Sequence, residues 1–198
     1  MITRALTAER INALLDRPIE DRPYVQFQLR DEAPIAALIG ALRNATSVDH
    51  AVILVNVIGM RFRHAKSAIP TLVERLSHSD ENVRYAVADS LGKLRASSSG
   101  DALLAALHDE EVPRVRAMLL AGVGAVGATE GVDELSKALS SSDPNIRQAA
   151  AWGLGQLGDS RAIKPLSDLA MGEDDRWVRD TVVSSLRRLE RANPPTDA

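Results

Sequence analysis

The chain has 198 residues, 45% of them hydrophobic but only 3% aromatic, with no Cys and a formal net charge of −3. The missing cysteines exclude disulfides, thiolate zinc sites and cysteine nucleophiles, and the weak negative charge argues against a general electrostatic grip on nucleic acid or anionic lipid. A core of Ala, Leu, Val and Ile with few rings suits closely stacked helices, enough for one domain or one elongated array, so an all-α protein is expected.

The opening stretch "MITRALTAERINALLDRPIE" carries charges throughout and lacks the apolar centre of a secretory signal. A helix from about Ala5 to Asp16 is expected to close the N-terminal end of whatever follows. Next comes "RPIEDRPYVQFQLRDE", where two prolines break any regular pattern and predict an irregular segment. Residues 1–32 are therefore read as a capping helix plus irregular chain. The longest apolar run, "AVILVNVIGM", is far short of the roughly 20 residues that span a bilayer. No membrane partner is expected, and the location is expected to be cytoplasmic.

From Ala33 the pattern repeats. The segments "ENVRYAVADSLGKLR" from Glu81, "PRVRAMLLAGVGAVG" from Pro113, "PNIRQAAAWGLGQLG" from Pro144 and "RWVRDTVVSSLRRLE" from Arg176 each carry an aliphatic-Arg pair. The pairs begin at Val83, Val115, Ile146 and Val178, a spacing of 32, 31 and 32 residues. A second apolar segment precedes each: "AIPTLVERL", "DALLAALHD", "GVDELSKAL" and "AIKPLSDLA". Each unit reads as two short helices, A and B, joined by a turn such as "HSDEN" or "SSSDPN". A degenerate copy without the Arg runs from Ala33 to Met60, with Gly59 standing 33 residues before Gly92. The units fall near 33–66, 67–99, 100–130, 131–160 and 161–192, and "NPPTDA" over 193–198 is expected to be a frayed tail. Helical pairs at this period stack into an α-solenoid, because one pair cannot bury its apolar face alone.

The stretch "DPNIRQAAAWGLGQLGDSRAIKPLSDL" resembles the HEAT-like repeats named after phycobiliprotein (bilin) lyases, and the likeness extends over Ala68 to Leu189. The resemblance implies that B helices line a concave face and A helices a convex one.

Arg84, Arg116, Arg147 and Arg179 recur at one repeat position, with Asp80 and Asp143 three residues ahead of the aliphatic partner. They are expected to form a ladder of hydrogen bonds and ion pairs that fixes one unit on the next. The alternative is a phosphate-binding row, which the neighbouring acids would neutralise. Counted from the aliphatic residue of each pair, positions −1, +2, +6 and +10 turn away from the core. That face places Tyr85, Asp89, Arg114, Asn145, Gln148, Trp152, Gln156, Trp177, Asp180 and Arg188 as candidate partner-binding residues. Trp and Tyr are the side chains most often found at binding hot spots. The degenerate unit would add Val52, Asn56 and Met60.

No catalytic constellation is legible. His50, His64, His78 and His108 form no helix-spaced pair, and "AGVGAVGA" lies inside a B helix, where small residues permit close packing. The helical-repeat hydroxylases that act on a modified lysine carry His-Glu dyads, and no "HE" occurs here. No cofactor and no metal are expected. The expected function is a non-catalytic scaffold that holds a protein or peptide in a groove on the order of 50 Å long, with a monomer favoured. A bilin lyase or chromophore-handling subunit is the alternative that the family name implies. Nucleic-acid recognition is a third, disfavoured by 15 basic against 20 acidic residues over 67–198.

Overall fold

The computed structural model describes residues 6–194, and every regular element among them is helical. The twelve α-helices are α1 (Ala8–Leu15), α2 (Arg22–Glu32), α3 (Ile35–Arg43), α4 (Val48–Gly59), α5 (Ile69–Glu74) and α6 (Glu81–Lys93), then α7 (Gly100–Asp109), α8 (Pro113–Val126), α9 (Val132–Ala138), α10 (Pro144–Leu157), α11 (Ile163–Gly172) and α12 (Arg176–Ala192). Short 3-10 turns fill several of the connections. Two compact units result, residues 1–96 and 97–198.

In the first unit α3 pairs with α4 and α5 with α6, and α4 packs on α6. The helices α1 and α2 cover α3 and α4, burying Ile11, Leu15, Val25 and Leu29. The expectation of an irregular segment over 17–32 is corrected by α2. Pro23 sits in the first turn of that helix, where its missing N–H has no intrahelical partner to lose, so the prolines start the helix rather than break it. Of the expected capping helix, Ala5 lies outside the described residues.

The second unit holds three pairs, α7 with α8, α9 with α10 and α11 with α12, and its B helices stack in the order α8, α10, α12. Its core is Leu103, Leu107, Val115, Leu119, Leu120, Val123, Leu135, Ile146, Leu154, Leu166, Val178, Val182 and Leu189, all buried. Helix α10 is buried on more than one side, since Ala151, Gly153 and Gly155 join Ile146, Ala150 and Leu154 inside. Glycines set that spacing. A Cβ on Gly124 would come within 2.4 Å of the Gly153 Cα, and one on Gly155 within 2.5 Å of Ser185 Oγ, so the backbones can approach only because these positions have no side chain. At the far end Asn193 Nδ2 donates to the carbonyls of Gly158 and Leu189 at 3.0 Å, while residues 195–198 of the expected tail lie outside the described residues.

Candidate functional site

Helices α10 and α12 position the site, and both have firm ends. Asp143 accepts from Asn145 N at 2.8 Å, and Asp175 accepts from Trp177 N at 2.8 Å and Val178 N at 3.1 Å. Such side-chain caps satisfy amides that the first helical turn leaves open. Pro144 occupies the first turn of α10 and Gly158 closes the helix in a left-handed conformation, φ +72°. With the inward face of α10 locked by Gly153 and Gly155, Gln148, Trp152 and Gln156 turn outward.

These residues meet α12 in an open depression of about 610 Å³. Trp152 and Trp177 flank it, 40% and 70% exposed, so neither ring belongs to the core. Gln148 Nε2 donates to Thr181 Oγ1 at 3.2 Å and reaches the Trp177 carbonyl at 3.5 Å, which ties α10 to α12 along the floor. Arg187, Arg188 and Arg191 of α12 line the other end. Asp180 lies nearer the aromatic end, 3.8 Å from Arg176.

Of the sequence-derived candidates, the structure brings together Gln148, Trp152, Gln156, Trp177, Asp180 and Arg188. Asn145 stands exposed at the start of α10 with its side chain donating to Asp143, and Arg114 is exposed on α8. Tyr85 and Asp89 lie on α6 in the first unit, both half-buried, and Asp89 pairs with Lys93. Of the three further positions in the degenerate unit, Val52 and Asn56 are half-buried and Met60 exposed.

The arginine row makes two kinds of contact. Nη1 of Arg84 donates to the carbonyls of His78 and Ser79, that of Arg116 to Leu107 and Glu110, that of Arg147 to Ser141 and Ser142, and that of Arg179 to Glu173. Each thus ties a B helix to the segment just ahead of it in its own repeat. Arg116 and Arg147 also reach the next repeat: Arg116 stands 3.7 Å from Glu134, and Arg147 makes a bidentate pair with Glu173, both bonds 2.8 Å. Asp80 and Asp143 also cap their own helices, accepting from Asn82 N and Asn145 N, each at 2.8 Å. The acid partner of Arg147 is Glu173, whose side chain is only 3% exposed. The hydrogen bonds from Arg147 chiefly hold the Glu173 carboxyl below the ordinary carboxylate range, and Glu173 in turn raises Arg147.

Sequence reasoning missed three features. Arg61 donates to the carbonyls of Leu29 and Ala33, Arg75 to Leu42 and Arg43, and Arg161 to Thr129, each reaching back about one repeat. Glu173 carried a signal: it and Glu110 both stand six residues before the row's Arg, both are buried, and each accepts the backbone N–H two residues on at 2.9 Å. The third is an exposed apolar patch of Ile19, Tyr24 and Phe27, with Arg17 and Arg30 over the two rings at 5.6 and 5.1 Å. Tyr24 and Phe27 are three residues apart on one helix face, a pattern hidden by reading the segment as irregular.

Among the described residues no group of three or more His, Asp or Glu side chains could hold a metal ion. His78 Nδ1 accepts from Asp80 N at 3.0 Å and shapes its turn. The His64 side chain lies outside the described residues. No described helix is long and apolar enough to cross a membrane.

A family model described as HEAT repeats matches residues 35–121 and 100–187. A HEAT repeat-containing taxis protein of Halobacterium salinarum is 35% identical over 123 residues, which is 62% of this chain and 27% of that protein, so the chain spans about a quarter of this relative's length. Among solved structures, the complex of CpcE and CpcF of phycocyanin lyase from Nostoc matches with a TM-score of 0.62 at 17% identity, covering 76% of this chain and 96% of the matched one. An engineered protein matches with a TM-score of 0.61 at 19% identity over 93% of this chain and 90% of its own. At these identities both structures show the fold alone.

Proposed function

This chain belongs to the HEAT-repeat family, and on that premise we propose that it is a non-catalytic scaffold whose B helices dock a protein or peptide, with the depression between α10 and α12 as the docking site. HEAT repeats suggest a protein-interaction scaffold. The observation that carries the specific site is the pair of tryptophans, 40% and 70% exposed on neighbouring helices around one depression. A large ring left in water is a standing cost that a partner removes, and Trp leads the side chains found at hot spots. The depression is open, which suits a protein segment better than a small enclosed substrate. The likeness to a phycocyanin lyase complex rests on fold at 17% identity and supports no chemistry here. The taxis relative makes a signalling assembly a natural setting for such a scaffold.

The test is affinity capture from the native cell with wild type and with Trp152→Ala/Trp177→Ala, alongside denaturant unfolding of both. A docking role predicts loss of the captured partner, at more than about 2 kcal/mol of binding for the key ring. Because Trp152 is 40% exposed, its truncation should cost less folding stability than the 3–5 kcal/mol typical of a buried ring. Unchanged capture combined with a severe loss of stability would return both rings to a structural role.

A further inference from the structure

The two ends of the depression differ in chemistry. Trp177 and Asp180 begin the exposed face of α12, and Ser184, Arg188 and Arg191 continue it at helical spacing, with Arg187 at its edge. Arg187, Arg188 and Arg191 are all exposed, and no carboxylate pairs with any of them among the described residues. Residues 187–191 hold three arginines against one acid, Glu190, which does not line the depression, whereas residues 97–198 as a whole hold eleven basic against sixteen acidic residues. The positive charge is therefore local, and Asp180 keeps it away from the aromatic end.

We propose that the depression takes a short acidic peptide segment: an aromatic or large aliphatic anchor lies between Trp152 and Trp177, and one or two carboxylates reach Arg188 and Arg191. This rests on the docking reading above and adds the chemistry of the partner. Planar guanidiniums bind carboxylates bidentately, and charge-assisted pairs of this kind fix register as well as adding affinity. The spacing follows from helix geometry. Trp177 and Arg188 are eleven residues apart, about 16 Å along the axis, which an extended peptide spans in about five residues. The anchor, set between the two rings, therefore lies at most about five residues from the acid that meets Arg188. A nucleic acid is the competing polyanion. Its affinity comes from many phosphate contacts, and three arginines in a unit with eleven basic against sixteen acidic residues offer few of them.

The experiment pans a random 12-residue peptide library, displayed on phage, against the full chain, with Trp152→Ala/Trp177→Ala as counter-selection. Enriched peptides are then titrated by intrinsic fluorescence, since Trp152 and Trp177 are the chain's two tryptophans. The expected result is an apolar anchor followed or preceded by acidic residues. Arg188→Ala/Arg191→Ala should weaken binding at least tenfold, and so should a rise in salt from about 50 to 200 mM. Circular dichroism confirms that the variants fold, and a Lys-for-Arg pair at both positions should recover part of the loss. Peptides that need the tryptophans but carry no acids, or that bind the double Arg variant unchanged, overturn the acidic partner and leave the docking site standing. Enrichment of no tryptophan-dependent peptide overturns both. Tighter binding of a single-stranded 12-nucleotide probe than of any selected peptide assigns the arginines to phosphate instead.

Discussion

At the scale of single residues, the decisive contrast is between Trp152 and Arg147, five positions apart on α10. Trp152 spends its surface on solvent, whereas Arg147 spends every nitrogen on the fold: two loop carbonyls and both oxygens of Glu173. Removing Arg147 leaves a carboxylate that is 3% exposed with the backbone N–H groups of Asp174 and Asp175 beside it and no cation among the described residues. Arg147→Ala should therefore cost about 3 kcal/mol in denaturant unfolding, near the lower end of what breaking a buried pair from one side costs, and Glu173→Gln should cost less because it removes the charge together with its partner's need. The pair also predicts acid lability. A carboxylate lowered in the folded state contributes its full stability above the ordinary Glu value of about 4.3, and that contribution drains as pH falls through this value toward the lower folded one. Urea midpoints of wild type and Glu173→Gln should begin to draw together as pH falls below about 4.3 and go on doing so toward the lower folded value. Parallel curves from pH 6 to 3 would mean that Glu173 is not paired as a carboxylate. The sequence made Arg147 conspicuous through its repeat spacing, yet hid Glu173, because the pairing runs 26 residues ahead into the next repeat and the acid sits in a stretch, "GEDD", that reads as solvated loop.

Elements were more legible than their partners. The B helices and the outward register of positions −1, +2, +6 and +10 follow from 3.6-residue periodicity, which is local, and none of the candidate residues read from that register is buried. Helix α2 was missed because two prolines outweighed its own periodicity, when only Pro23 falls inside the helix, and there in its first turn. What periodicity leaves out is how closely two helices approach, and the glycines record that. Gly40 and Gly124 are both interior helix glycines, so intrinsic propensity alone predicts about 1 kcal/mol gained on changing either to Ala. The surroundings separate them. A Cβ on Gly40 meets nothing within 4 Å, whereas one on Gly124 would lie 2.4 Å from Gly153 Cα and 2.6 Å from its carbonyl oxygen. Backbone atoms cannot rotate aside, so α8 and α10 must part, and overpacking of this kind costs about 1–3 kcal/mol. Gly40→Ala should thus raise the melting temperature and Gly124→Ala lower it, with a net loss of about 1–2 kcal/mol. Two shifts of the same sign would mean that propensity, not the helix seam, sets the energetics.

For the whole molecule, the repeat number has energetic content, because a helical pair in such an array is stable mainly through the neighbours it covers. Residues 97–198 hold three complete pairs, about the minimum at which stacked repeats become stable, and α10 is packed by α8 and α9 as well as by α12. The same residues contain the entire depression, both tryptophans and all three rim arginines. A fragment of 97–198 should therefore be helical by circular dichroism, unfold in one cooperative step in urea with a slope of about 1–2 kcal/mol per molar, and bind the selected acidic peptides with an affinity within a few fold of the full chain. The tryptophans make this directly observable, since their emission reports both the unfolding step and the docking site. Residues 1–96 hold two pairs plus α1 and α2, so a fragment of that unit tests instead whether α1 and α2 supply the covering that a third pair would. A gradual, non-cooperative loss of helix in 97–198 would show that three pairs do not suffice here. Retained folding with lost peptide binding would show that the docking site needs residues beyond the depression itself, and would move the search for its missing side chains to the first 96 residues.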